Sequence, residues 1–86
     1  MIYEDKWIKI ELLERKPKTE VYEVRSKYSD CPIGLVHWYP SWRHYTFEPL
    51  TDYKIELSDR CLFALGSFVM QLNSEHTFKL QYEKHG

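Results

Sequence analysis

The sequence predicts an α+β fold: an antiparallel sheet of four to five strands with one amphipathic helix, about residues 58–73, packed on one face. Three observations lead to it. Apolar and polar residues alternate with period two in short segments between Trp7 and Glu48, polar or proline-containing breaks separate those segments, and one stretch after Ser58 switches to three- and four-residue spacing.

The first strand runs from Trp7 to Glu14, with Ile8, Ile10 and Leu12 on one side and Lys9 and Glu11 on the other. Arg15-Lys16-Pro17-Lys18 turns the chain. The second strand, Thr19 to Lys27, sets Tyr22 and Val24 against Glu23 and Arg25, and the two strands form a hairpin. Tyr28 to Pro32 reads as a loop, because Ser-Asp favours turns and Pro32 has no amide for a ladder.

Ile33 to Tyr39 and Trp42 to Glu48 form a second hairpin across Pro40-Ser41. Proline there suits the first corner of a type I or II turn, so a loop wider than two residues is expected. Setting Tyr39 opposite Trp42 sorts the side chains onto two surfaces. Gly34, Val36, Trp38, Arg43, Tyr45 and Phe47 face the core, with Gly34 making room for something large. Ile33, Leu35, His37, Tyr39, Trp42, His44 and Thr46 face outward, and His37 lies opposite His44.

Tyr53 to Leu57 alternates as a further extended segment. Ser58 is a suitable N-cap, Asp59 complements the helix dipole, and Leu57 and Leu62 have the spacing of a hydrophobic staple. Cys61, Leu62, Leu65, Phe68, Val69 and Leu72 make the buried stripe, leaving Phe63, Ala64 and Met70 off it. Asn73 is a reasonable stop. Phe78, Leu80 and Tyr82 then alternate with polar residues, which predicts a last edge strand, with continuation of the helix as the alternative.

Eighty-six residues make one domain, 1–86, small enough that large side chains must supply the core. Aromatics are 16% of the chain, and each buries roughly 150–250 Å² when covered. Net charge is −1, with seven Lys/Arg and seven Asp/Glu in residues 1–30, so no basic stripe supports duplex DNA as a ligand. Cys31 and Cys61 stand apart and read as reduced thiols. With neither a leader nor a long apolar run, the expectation is a cytoplasmic protein of a bacterial cell with no membrane partner.

The stretch Gly34-x-Val36-x-Trp38-Tyr39-x-x-Trp42-Arg43-x-Tyr45-x-Phe47-x-Pro49, followed by Cys61-Leu62-x-x-Leu65-x-x-Phe68, resembles a family of short uncharacterised bacteriophage and prophage proteins. The likeness covers residues 19–73. It departs at the hairpin turn, where Pro40-Ser41 replaces the usual glycine, and in both flanks. The resemblance implies a phage-derived origin and an α+β fold, brings no catalytic residues, and favours action on a host by binding.

No Gly-rich phosphate loop, GxSxG or HExxH is present, and nothing orients Ser41 and His44 as a catalytic pair, so a non-enzymatic protein is expected. Two histidines fall short of the three or four ligands zinc needs, so neither metal nor cofactor is expected. The candidate binding residues are Tyr39, Trp42, His37, His44 and Arg43. With only one helix to cover the sheet, Tyr39 and Trp42 remain available for recognition. The leading reading is an accessory protein that binds and modulates a host protein, such as a defence component. Alternatives are a small-ligand or single-stranded nucleic-acid binder and a structural homodimer.

Overall fold

The computed structural model describes residues 3–27, 31–50 and 56–85, with side chains as far as Phe78. Among the described residues five strands, β1 (Tyr3–Glu4), β2 (Ile8–Arg15), β3 (Glu20–Ser26), β4 (Cys31–Tyr39) and β5 (His44–Pro49), precede one helix, α1 (Asp59–His85). The strands form one antiparallel meander in sequence order, and α1 packs against one face. The expected fold class is therefore observed.

Asp5 organises the turn between β1 and β2. Its carboxylate accepts hydrogen bonds from the amides of Trp7 (2.7 Å) and Ile8 (2.9 Å) and from the Tyr3 hydroxyl (2.8 Å). Burial pushes the Asp5 carboxyl up, but these donors outweigh it and hold the group below its ordinary range. Periodicity cannot detect β1, because two residues contain no period.

Ile8, Ile10, Tyr22, Val24, Val36 and Tyr45 bury their side chains against Cys61, Ala64, Leu65, Phe68 and Leu72 of α1. Phe68 meets Tyr22 edge-on at 5.2 Å between ring centroids. Burial pushes the Tyr22 phenol well above its ordinary range, and its hydrogen bond to Glu20 adds to the shift. Leu12 ends up exposed, beside a bulge that inserts Leu13 between the Leu12 and Glu14 pairings.

A second bulge changes the expected sorting of β4. Arg25 pairs with Pro32 and Val24 with Gly34, which leaves Ile33 as the extra residue. Ile33 turns into the core instead of outward, and Cys31 and Pro32 belong to the strand, not to a loop. Only residues 28–30 of the expected loop lie outside the described residues.

The β4–β5 register has Tyr39 opposite His44, Trp38 opposite Tyr45 and His37 opposite Thr46. This is shifted by two residues from the pairing expected on Tyr39 and Trp42. A one-residue slip would have exchanged the two faces; a two-residue slip preserves them. Val36, Trp38, Tyr45 and Phe47 accordingly point toward α1 as expected, and Phe47 lies over Gly34.

Ser58 caps α1: its hydroxyl accepts from the Cys61 amide (3.3 Å) and its carbonyl from the Leu62 amide (2.9 Å). Leu57 packs on the core, but Leu62, expected on the buried stripe, is exposed, and Ala64, expected off it, is buried. The helix does not stop at Asn73, and the segment after it is helical: the alternative reading, continuation of the helix, is the one observed, and not a last edge strand. No glycine or proline follows Gly66 before the terminal glycine, and Asn73 costs less than about 0.7 kcal/mol in a helix interior.

Instead of capping the helix, the Asn73 carboxamide reaches the edge of the sheet. Its oxygen accepts from the Tyr45 amide (2.6 Å), and its nitrogen donates to the Tyr45 carbonyl (3.4 Å). It thus satisfies both main-chain groups of one residue, as a neighbouring strand would. The alternation of Tyr53, Ile55 and Leu57 falls mostly on residues 51–55, outside the described residues; Glu56 and Leu57 are not in a strand.

Candidate functional site

Four residues, Pro40 to Arg43, connect the paired ends Tyr39 and His44 at the tip of the second hairpin. The Tyr39 carbonyl accepts from the Arg43 amide (2.9 Å) and the Trp42 amide (3.3 Å), and Arg43 closes the turn with φ of 55°. The wider loop demanded by Pro40 is present, and its left-handed position carries arginine.

Tyr39 and Trp42 form the exposed end of the hairpin. Their rings meet at 4.9 Å with an interplanar angle of 61°, while Tyr39 remains 39% and Trp42 68% exposed. Trp7 does not cover them, because it lines a groove on the other side of the protein with Tyr3, Asp59 and Phe63. Trp42, expected to open the fourth strand, belongs to the loop, since β5 begins at His44.

The remaining candidate residues do not converge as expected. His37 pairs across the strands with Thr46, not His44; its Nε2 lies 3.3 Å from Glu48 Oε2 and its Nδ1 3.2 Å from the Trp38 carbonyl. His44 is exposed at the sheet edge, beside Met70, Asn73 and Phe78. Arg43 is neither opposite Trp38 nor in the core. Trp38 instead packs edge-on against Tyr45 at 5.5 Å and lies tilted against His76 at 4.4 Å.

The uncovered sheet face is also more polar than its sequence pattern implies. Glu11 stands opposite Glu23, Glu23 opposite Leu35, and Leu35 opposite Glu48. Lys9 pairs with Glu11 at 2.7 Å and Arg25 with Glu23 at 2.5 Å, which offsets the juxtaposed carboxylates. With Ile33 drawn inward and the centre of the face ion-paired, Tyr39 and Trp42 are the large exposed apolar residues at this end of β4 and β5.

Cys31 lies six residues from His37 along β4, about 20 Å of extended chain, and does not join the histidines. Among the described residues no group of three or more His, Cys, Asp or Glu side chains is arranged to hold a metal ion. No described helix is long and apolar enough to cross a membrane.

Over 58 residues the chain is 33% identical to an uncharacterised 9.3 kDa protein of Acholeplasma phage L2, covering 67% of this chain and 72% of the phage protein. The chain belongs to that phage protein's family. No family model matches the sequence, and no solved structure matches it. Membership of this phage family brings a relative but no assigned activity, so the chemistry of the site must come from its own residues.

Pattern reasoning passes over one surface of this phage-family chain. Phe63, Met70 and Phe78 are exposed on α1, and the available signal is two large apolar residues off the buried stripe and a third in the segment whose alternative reading is a continued helix.

The strained corner supports a direct test of the loop. A non-glycine residue in the left-handed region costs about 1–2 kcal/mol, partly recovered by glycine. Arg43→Gly should stabilise the protein by about 0.5–1 kcal/mol and raise its melting temperature by roughly 3–6 °C, read by thermal circular dichroism. A lowered melting temperature would show that the Arg43 side chain contributes more than its backbone costs.

Proposed function

We propose that this phage-family protein is a non-enzymatic accessory protein that binds and modulates a host protein in the bacterial cytoplasm, with host defence components the first targets to test. The Tyr39–Trp42 pair at the hairpin tip carries this reading. Two large rings, held against each other on a hydrogen-bonded turn, offer apolar area at little cost in side-chain ordering. Such aromatic anchors dominate binding energy at protein interfaces.

Charge favours a protein partner over a nucleic-acid strand. Single-strand binders line their aromatic platforms with a basic groove, whereas this chain has a net charge of −1 and no basic stripe. Replacing both Tyr39 and Trp42 by alanine should leave the far-UV spectrum and melting temperature nearly unchanged, since both side chains lie outside the core. Capture of a partner from bacterial lysate should weaken by about 30-fold or more, corresponding to the loss of at least one hot spot of about 2 kcal/mol. Equal capture by wild type and double variant would remove the hairpin tip as the binding surface. Saturable binding of short oligonucleotides by the wild type would transfer the site to the nucleic-acid reading.

A further inference from the structure

We propose that the outward face of α1 is a homodimer interface, in which two copies of this chain pair antiparallel about a two-fold axis beside Met70. The surface is separate from the hairpin tip, and the inference goes beyond the host-binding reading.

The face begins as an anomaly of composition. The outward side of a surface helix is ordinarily charged. From Phe63 to Phe78, however, Glu75 is the only residue with a formal charge, and the neighbouring His76 is turned inward against Trp38. The large residues on this face are open to solvent: Phe63 is 77%, Met70 73% and Phe78 69% exposed. Depletion of charge around large apolar side chains is the composition of an interface centre.

Spacing identifies the occupant. Phe63, Ser67, Met70, Ser74 and Phe78 follow one another at steps of four, three, four and four, which keeps them on one stripe of the helix. Reversal of the helix about the midpoint between Met70 and Gln71 brings Phe63 onto Phe78, Ser67 onto Ser74, and Met70 beside Gln71. A surface that maps onto itself under a two-fold is what an isologous dimer requires. An unrelated partner would impose no such symmetry.

The contours agree with that packing. Small Ser67 and Ser74 lie between the bulky ends, and no atom comes within 4 Å of where a Cβ on Gly66 would stand. Close approach of a second helix is therefore unobstructed. Phe63 and Ser67 border a groove of about 640 Å³ on the β1 flank. Met70, Ser74 and Phe78 border another of about 480 Å³ beside His44 on the β5 flank. Each copy can place its Phe63 against the second groove of the other.

The area is adequate. A large side chain exposes roughly 150–250 Å², so the three residues of one copy leave on the order of 300–500 Å² of apolar surface wet. Two copies together bury about 600–1,000 Å² from these side chains alone. The serines, Gln71 and the intervening backbone bring the total to the roughly 1,000 Å² expected of a specific interface.

Sedimentation equilibrium of the full chain over a wide concentration range tests the proposal. The wild type should show a reversible monomer–dimer equilibrium, and Met70→Glu, which brings two carboxylates together at the axis, should weaken it by about tenfold or more without changing the far-UV spectrum. Phe63→Lys should do the same from the end of the stripe. In a Cys31→Ser background, Met70→Cys should form a covalent dimer on mild oxidation, while Leu13→Cys at the far hairpin should not. A wild type that remains monomeric throughout, or a dimer indifferent to both charged variants, would overturn the assignment.

Discussion

Phe68→Ala should destabilise the protein by about 3–5 kcal/mol, roughly half or more of the stability of a domain this size. Phe68 is at the centre of the buried stripe of α1, edge-on to Tyr22 at 5.2 Å and tilted against Tyr3 at 6.5 Å. Through those two contacts one helical residue ties β1 to β3, the middle strand of five. Truncation removes the transfer energy of the ring and leaves a cavity between the layers; in other proteins the two together cost about 3–5 kcal/mol. Domains of this size have on the order of 5–10 kcal/mol in total. The variant should therefore melt near room temperature or fail to fold, whereas Phe68→Leu, which keeps most of the volume, should remain folded with a smaller loss. Chemical denaturation of all three forms would measure this. A cost below about 1 kcal/mol for Phe68→Ala would mean that α1 is not docked through this ring.

Gly34→Ala should be the second most damaging change, at about 3 kcal/mol. The reason is space and not backbone torsion, since no glycine in the described chain has positive φ. A methyl group at Gly34 would lie 2.4 Å from two ring atoms of Phe47 and 2.6 Å from the carbonyl oxygen of Glu48. The ring can swing away at some loss of packing. The carbonyl cannot, because it belongs to the β5 main chain, so the strand itself must move. Overpacking ordinarily costs about 1–3 kcal/mol, and a main-chain collision belongs at the upper end. Adding Phe47→Leu should recover only part of the loss, because the Glu48 oxygen remains in place. Full recovery in the double variant would show that the ring alone was responsible.

The sequence made most of the sheet legible. Ile8, Ile10, Tyr22 and Val24 occupy the core face that their alternation predicts, and the β4–β5 faces survive a wrong register because the slip is even. Bulges were illegible, since Ile33 turns inward through its pairing with β3, a relation that β4 alone does not contain. The choice between a stop at Asn73 and a continued helix is illegible for a similar reason. Asn73 has the chemistry of a local cap, but its carboxamide is committed to Tyr45, 28 residues away.

The candidate site divides along the same line. Exposure of Tyr39 and Trp42 was readable from their place beside a proline-containing turn. The placement of His37, His44 and Arg43 depended on register and was not. Phe63 and Met70 were visible as residues left over from the buried stripe, but nothing in local pattern says that a remainder forms a surface. That required knowing that α1 continues past Asn73 and brings Phe78 onto the same face.

The bond between Asn73 and Tyr45 also bears on how the protein could go wrong. A sheet grows wherever a strand leaves its amides and carbonyls open, and here a helical side chain occupies that position on β5. If α1 lifts away, the same event uncovers the core and releases a hydrogen-bonding rung to which another chain can add. Edge-to-edge association through β5 should therefore follow the population of helix-detached molecules and not the fully unfolded fraction.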